Sequence, residues 1–306
     1  MTRLIIGSRG SDLALYQANF IRSILEQEHG CTVELKIIKT VGDRIDNVSF
    51  EQMEGKGFFT KELEDALLAR EIDLAVHSLK DLMTSMPSGL KLGSVGYRAD
   101  RRELLLIRKS SVEGDNLLPV RKGGVIGTSA ARRKGQVAFH NPSLAVADLR
   151  GNVPTRVAKL RDGKYDAILL AAAGVTRLEL DLSDLHVISL DPEQFLPAPA
   201  QGILGIQIRD NDPAVESVIA KLGSAAAMLE ANLERGLLAR FDSGCSLPLG
   251  VFSEVRDGQL RLKAVLGTRE GDQWTGLKRT DITGTDVDDV ISRAYDALRG
   301  SPACRD

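Results

Sequence analysis

Cysteine is scarce in this 306-residue chain. Its three copies, Cys31, Cys245 and Cys304, are odd in number, far apart and form no C-x-x-C pair. That excludes a disulfide framework and points to a reducing compartment, the cytoplasm. The four histidines (His29, His77, His140 and His186) lack metal-ligand spacing, so no metal site is expected. Aromatic residues make up only 4%, too few for a base-stacking nucleic-acid surface. A formal net charge of −2 argues against a polyanion binder overall, though not against a local basic patch. No stretch approaches the ~18 apolar residues of a membrane span, and the opening MTRLIIG is too short for a signal-peptide core. There is no G-x-x-x-x-G-K-[ST] and no G-x-G-x-x-G after the first strand pattern, which leaves a polyphosphate ligand without support.

What is present is the composition of a folded protein, 43% hydrophobic and 27% charged. The length suggests two or three domains. Short apolar runs at 4–6, 33–39, 73–76, 90–95 and 103–108 alternate with helical spacing at 13–25 and 58–68. Strand patterns at 124–126, 144–147 and 167–171 alternate with helical ones at 129–139 and 154–161. This order predicts an α/β fold with helices covering a parallel or mixed sheet. Residues 67–76 and 159–170 both run from a helix end through a polar turn to an aspartate and a buried strand, which suggests two similar halves. Pro192, Pro197 and Pro199 mark a crossing between domains. Beyond them, helices are expected over 214–222, 224–240 and 286–298, a loop over 241–250 and a strand over 259–266, together a smaller α+β domain.

Charge is uneven. Residues 120–180 carry 11 Lys or Arg against 4 Asp or Glu. Any one of these arginines can be part of a solvated face. Their positions suggest more: Arg132 and Arg133 open a helix after Gly127-Thr128-Ser129, Arg150 follows a strand, and Arg156 enters the next helix. Strand C-termini and helix N-termini meet at the ligand crevice of α/β sheets. Cations beside free backbone N–H groups there favour an anion, and a guanidinium fits carboxylates as well as phosphates. Asp81, after His77-Ser78-Leu79-Lys80, is either a turn cap or a carboxylate at the crevice mouth. Cys245, in Ser243-Gly244-Cys245-Ser246, is either an inert thiol or a nucleophile and attachment point.

Six segments in order carry a family resemblance. They are Gly7-Ser8-Arg9-Gly10-Ser11; Gly55-Lys56-Gly57-Phe58-Phe59-Thr60-Lys61-Glu62-Leu63-Glu64; His77-Ser78-Leu79-Lys80-Asp81; Gly127-Thr128-Ser129 through Arg132-Arg133; Leu149-Arg150-Gly151-Asn152-Val153 through Arg156; and Pro199-Ala200-Gln201-Gly202, with Gly244-Cys245 beyond them. Together they resemble the porphobilinogen deaminase (hydroxymethylbilane synthase) family over nearly the whole chain. The resemblance implies two periplasmic-binding-protein-like α/β domains and a smaller third α+β domain carrying the cofactor cysteine. Domain 1 is expected at 1–98 plus 196–215, domain 2 at 99–195 and domain 3 at 216–306.

It further implies a monomeric transferase with a dipyrromethane cofactor joined to Cys245 by a thioether. Four porphobilinogen units add head to tail with loss of ammonia, giving linear hydroxymethylbilane for haem and other tetrapyrroles. Asp81 is the implied catalytic residue. The implied cofactor and substrate contacts are Arg9, Ser11, Lys56, Ser78, Lys80, Thr128, Ser129, Arg132, Arg133, Arg150, Arg156, Arg177 and Gln201, with 42–57 as a mobile cover. The implied chemistry suits these residue types. Pyrrole acetates and propionates need cations, and a carboxylate can steady the cation left by ammonia and take the later proton. The chain departs from the usual pattern at Met83, where proline is common, and at Ala130-Ala131, where Ser-Leu is common. A non-catalytic two-lobed binding protein for a small polycarboxylate is the rival reading; it leaves Asp81 and Cys245 without roles.

Cys245→Ala is expected to abolish the covalent adduct, since a methyl group cannot form a thioether. Peptide mapping should place the adduct of the parent chain on Cys245, not on Cys31 or Cys304.

Overall fold

The computed structural model describes residues 2–40, 60–241, 247–271 and 273–300. The chain divides into two compact units, Met1–Ala99 with Gln201–Met228, and Asp100–Ala200 with Leu229–Asp306. It opens in unit one with β1 (Arg3–Ser8), α1 (Asp12–Gln27), β2 (Thr32–Ile37), α2 (Lys61–Leu68), β3 (Leu74–Ser78) and β4 (Leu90–Gly96). Unit two continues with β5 (Glu103–Arg108), β6 (Val125–Gly127), α3 (Ala131–His140), β7 (Ala145–Ala147), α4 (Val153–Arg161), β8 (Ala167–Ala171), α5 (Ala172–Arg177) and β9 (Leu185–Ser189). The chain returns to unit one for β10 (Leu204–Arg209), α6 (Pro213–Ile219) and the start of α7 (Ala225–Arg240). It ends in unit two with β11 (Leu249–Arg256), β12 (Gln259–Glu270), β13 (Gln273–Gly284) and α8 (Val287–Arg299).

The first sheet has the order β2-β1-β3-β10-β4, with β1, β2 and β3 parallel and β10 antiparallel to both its neighbours. The second has the order β7-β6-β8-β5-β9, with β6, β7 and β8 parallel and β5 antiparallel to both its neighbours. The two orders match strand for strand, so the likeness of 67–76 to 159–170 extends to whole sheets. The expected α/β class is what the chain adopts. The third sheet, β11-β12-β13, is an antiparallel meander.

Burial explains the elements. Ala18, Ile21 and Leu25 form the buried stripe of α1, and Gly30 beyond it takes the left-handed φ of +63° that stops the helix. Leu74, Ala75 and Val76 are buried in succession, as a strand covered on both faces requires. Every residue of β10 is buried. On α8, Val290, Ile291, Ala294 and Leu298 pack with Val251 and Leu262 of the third sheet, and Asp286 caps the helix by accepting from the Asp289 N–H at 2.8 Å.

Several boundaries differ from the sequence expectation; the strand expected over 259–266, for one, runs on to Glu270. α3 starts at Ala131 because Ala130 is still extended, and the loop expected over 241–250 gives way to β11 at Leu249. Three strands carry no clear pattern in the sequence. β13 alternates only between exposed and half-buried residues, β9 is largely exposed, and β11 begins inside the segment expected as a loop.

Each α/β sheet is pinned by an aspartate just before its central strand, β3 in the first and β8 in the second. The Asp73 carboxylate accepts from the Ile5 N–H at 2.8 Å, and the Asp73 N–H donates to the Ile5 carbonyl at 2.8 Å. Asp166 does the same with Val125, at 2.9 Å in both directions. Asp73 also pairs with Arg209 at 2.9 Å, and Asp166 with Arg108 and Arg121, each at 2.9 Å, and with the Ser111 hydroxyl at 2.7 Å. Burial pushes the Asp166 carboxyl up. The Val125 N–H, then Arg121, Ser111 and Arg108, outweigh that and hold it below the ordinary value of 3.8.

Asp166→Asn is expected to lower stability by about 2 kcal/mol, the scale of a hydrogen bond to a charged group. Because the folded-state pKa is depressed, the loss should be full at neutral pH. It should shrink as pH falls through the acid range below the ordinary value of 3.8, where the parent carboxylate is itself protonated. Urea midpoints of parent and variant at neutral and acid pH check both the size and the sign.

Candidate active site

In unit one, β1 and β3 are parallel and end at the same edge of their sheet. Beyond β1 come Arg9, Gly10 and Ser11, and Ser11 is the N-cap residue of α1. Beyond β3 a single 3-10 turn holds Leu79, Lys80 and Asp81. β10 runs the other way, with Leu204 opposite Ser78, so Gln201 and Ile203 reach the same edge. Leu79 donates its N–H to the Ile203 carbonyl at 3.0 Å. Its side chain is fully buried over Gly205, where a Cβ would stand 2.8 Å from Leu79 Cδ1. With Leu79 anchored, Lys80 donates from Nζ to Gln201 Oε1 at 3.3 Å. Ser78 Oγ accepts from Gln17 Nε2 at 2.7 Å.

Asp81 is exposed, and among the described residues its carboxylate makes no side-chain hydrogen bond or ion pair. The turn cap that the sequence left open is therefore not what this side chain does among them. On the strand that leads to this turn, His77 is buried with Nε2 at 3.0 Å from Gln207 Oε1, and Gln207 Nε2 donates to Glu64 Oε1 at 3.1 Å. Burial lowers the His77 pKa to about 4, against the Gln207 contact that raises it and with the Arg9 charge that lowers it further. At neutral pH the imidazole is uncharged.

In unit two, β6, β7 and β8 are parallel and end at one edge, where β5 begins antiparallel with Glu103 opposite Ala171. Thr128 and Ser129 link β6 to α3. The Thr128 N–H donates to the Ala147 carbonyl at 2.8 Å. The Ser129 hydroxyl donates to the Leu149 carbonyl at 3.0 Å and accepts from the Leu149 N–H at 3.1 Å, tying the β6 loop to the β7 loop. Ala130 stands at the N-cap position of α3 and offers no side-chain cap. Arg132 and Arg133 come next, in its first turn, both buried, and both bind Glu103. Arg132 Nη1 donates to Oε1 and Arg133 Nη2 to Oε2, each at 2.6 Å. Arg133 Nη1 also donates to the Leu169 carbonyl at 2.9 Å, while its buried Nε has no partner.

On the next loop, Asn152 caps α4 by accepting from the Thr155 N–H at 2.9 Å, and Arg156 Nε donates to the Gly151 carbonyl at 2.7 Å. Arg150, half-buried, offers its carbonyl to Lys159 Nζ at 3.0 Å. Arg177 is the last residue of α5, which starts at this edge directly after β8. This edge is cationic, and with the uncapped helix N-terminus it suits an anionic, carboxylate-bearing ligand.

The structure thus gathers Arg9, Ser11, Ser78, Lys80, Asp81 and Gln201 on one edge of unit one. It gathers Thr128, Ser129, Arg132, Arg133, Arg150 and Arg156 on one edge of unit two, with Arg177 on the short helix leading away from it. Lys56, Cys245 and the expected cover 42–57 lie outside the described residues. Sequence reading missed Glu103 and Gln17. The signal for Glu103 was a lone carboxylate opening the apolar run Glu-Leu-Leu-Leu-Ile. Among the described residues no group of three or more His, Cys, Asp or Glu stands together to hold a metal ion. No helix among them is long and apolar enough to cross a membrane.

A family model described as porphobilinogen deaminase, dipyromethane cofactor binding domain, matches residues 4–217, and one described as porphobilinogen deaminase, C-terminal domain, matches residues 228–291. The porphobilinogen deaminase of Sulfurimonas denitrificans is 43% identical over 275 residues, 89% of this chain and 86% of that one. The porphobilinogen deaminase of Maridesulfovibrio salexigens is 37% identical over 312 residues, 97% of this chain and 99% of that one. Among solved structures, a Salmonella typhimurium periplasmic binding protein with high arginine specificity is 14% identical, covering 79% of this chain and 99% of its own at a TM-score of 0.42.

Arg132→Leu and Arg133→Leu are expected to impair retention of a carboxylate-bearing ligand, read as loss of the covalent adduct by intact mass. Arg161 is the internal comparison. It lies at the end of α4, bound to Asp184 at 2.6 Å on an exposed surface, and Arg161→Leu should leave the adduct unchanged.

Proposed function

The chain belongs to the porphobilinogen deaminase family, and we propose that Asp81 and the cationic loops of unit two carry the family's reaction. The protein is a transferase that joins four porphobilinogen units head to tail with loss of ammonia and releases hydroxymethylbilane for tetrapyrrole synthesis. Family membership favours this enzyme over the non-catalytic binding protein. The observation that carries the assignment of roles is Asp81, an exposed carboxylate without a side-chain partner among the described residues, seated next to Lys80 on a turn whose core residue is locked in place.

The family's cofactor is a dipyrromethane. The donor set of unit two fits its acidic side chains: two buried guanidiniums, a buried Nε donor on Arg133 without a partner, and an uncapped helix N-terminus. Arg132, Arg133, Arg150, Arg156 and Arg177 would hold the acetates and propionates, with Thr128 and Ser129 beside them and Cys245 as the point of attachment. When bound, the group supplies the primer to which the first substrate is joined.

In the coupling step the C–N bond of the substrate's aminomethyl group breaks with its electron pair on nitrogen, which leaves as ammonia. Positive charge develops on the substrate's methylene and pyrrole ring, and the Asp81 carboxylate lowers its energy. Once the new carbon–carbon bond has formed, the ring carbon loses a proton, which Asp81 accepts. Lys80, Arg9, Lys56, Ser11, Ser78 and Gln201 orient the substrate's own carboxylates. The uncharged His77, on the strand that leads to the Asp81 turn, adds no further positive charge. The division into 1–98 with 196–215, 99–195 and 216–306 belongs to the same reading, supported by three separate sheets, although Ile219 and Leu222 pack into the core of the first. So does a monomer in the cytoplasm, the compartment being supported by three scattered cysteines.

Asp81→Asn keeps shape and hydrogen bonding but removes the charge and the base. It is expected to fold, to carry cofactor when supplied with preformed tetrapyrrole, and to lose ~10²–10⁴ in turnover. Asp81→Glu should keep more activity than Asn. Hydroxymethylbilane formation by the loaded chains is the assay. Turnover of the Asn variant within a few-fold of the parent would make Asp81 a structural residue.

A further inference from the structure

Glu103 has no place in the roles assigned above, yet it is the most completely buried charge at the cationic edge of unit two. It is the first residue of β5, with no exposed surface. Each of its two oxygens accepts from a different arginine, at 2.6 Å to Arg132 Nη1 and 2.6 Å to Arg133 Nη2. As a stability device this cluster is poor. Three charges taken out of water lose hydration that their mutual attraction offsets only when the geometry is good, and apolar side chains of like volume often do better. Its placement adds to the cost, because two cations in the first turn of α3 oppose the helix dipole.

Geometry gives the cluster another purpose. Residues adjacent on a helix diverge by about 100° around its axis, so Arg132 and Arg133 would splay apart if nothing drew them together. One carboxylate, placed by β5 at the edge where β8 ends, draws both to it. The Leu169 carbonyl then fixes the Arg133 fork from a second side. A guanidinium has five N–H donors in a rigid plane, so fixing one or two edges of the fork decides where the others point.

We infer that Glu103 is a positioning residue. It sets the spread and orientation at which Arg132 and Arg133 meet pyrrole carboxylates, and it reduces the charge of the pair from two to one. The second effect keeps the site from holding a polyanionic product as firmly as two uncompensated arginines would. This inference rests on the roles proposed above for the two arginines.

The test uses the full chain, prepared free of adduct from cells unable to make porphobilinogen. Intact mass after incubation with porphobilinogen gives the fraction of chains that acquire the adduct. Far-ultraviolet circular dichroism reports the fold, and KM and kcat are measured on the loaded fraction. Glu103→Gln should fold, cut the rate of adduct acquisition about tenfold or more, and raise KM more than it lowers kcat. Glu103→Asp, which keeps the charge, should recover part of the loss. The double variant Glu103→Gln with Arg133→Leu should lose less than the sum of the two single losses, since part of the effect of Glu103 runs through Arg133 and the rest through Arg132. Normal loading and normal KM in Glu103→Gln, with only a lowered melting temperature, would overturn the inference, as would additive losses in the double variant. Should Glu103→Gln fail to fold, Glu103→Asp decides: parental loading and KM overturn the inference, and a raised KM with kcat retained supports it. A parent chain that never acquires an adduct overturns the enzyme reading itself, an outcome distinct from a loaded parent with an indifferent Glu103.

Discussion

Everything at the two cationic or acidic edges depends on an aspartate at the opposite end of each sheet. Asp73 and Asp166 close a two-way hydrogen-bond pair with the strand beside them, Asp73 with Ile5 and Asp166 with Val125. A slip of one residue would break that pair and turn every side chain of the strand to the other face. With the register fixed, the far ends of neighbouring strands are fixed too. Ser8 and Ser78 in one sheet, Gly127 and Ala171 in the other, finish where their loops can cooperate. The loops can then be short and chemically specialised.

The two edges are built for opposite tasks. Unit one keeps its carboxylate exposed: Asp81 stands in solvent, and His77, on the strand that leads to its turn, stays neutral. Unit two sinks its charges. Arg132 and Arg133 are buried against Glu103, and the loop carrying Arg150 is bound to the loop carrying Ser129 through one hydroxyl. A preorganised cation array costs no reorganisation when a carboxylate arrives. An exposed carboxylate without a side-chain partner among the described residues can follow charge as it develops.

Much of this was legible in the sequence. The α/β class, the paired halves and the strand-end or helix-start positions of Asp81, Arg132, Arg133, Arg150 and Arg156 came from apolar periodicity, turn residues and strand-end chemistry. These are local signals, and each spans a few residues. What escaped was non-local. β10 inserts between β3 and β4 from more than a hundred residues downstream, and no periodicity announces a partner at that distance. Glu103 reads as an ordinary strand-edge acid until the sheet brings it to α3. β13 was silent because one of its faces is open and the other only half covered, so its pattern lacks strong apolar contrast. Lys56 and Cys245, both named from the sequence, lie outside the described residues.

The central place of β10 also bears on how the chain is made. When residues 1–99 have left the ribosome, the first sheet holds β2, β1 and β3 on one side and β4 on the other, with the strand that joins them not yet synthesised. All five strands of the second α/β sheet, the last ending at Ser189, are complete before β10 emerges. The usual order, in which the N-terminal part folds first during synthesis, is inverted here. The half that is translated later can close its sheet first, and the half bearing Asp81 waits with two unpaired strand edges exposed. For this protein the vulnerable interval is set by translation speed between Gly96 and Leu204, rather than by the stability of the finished fold.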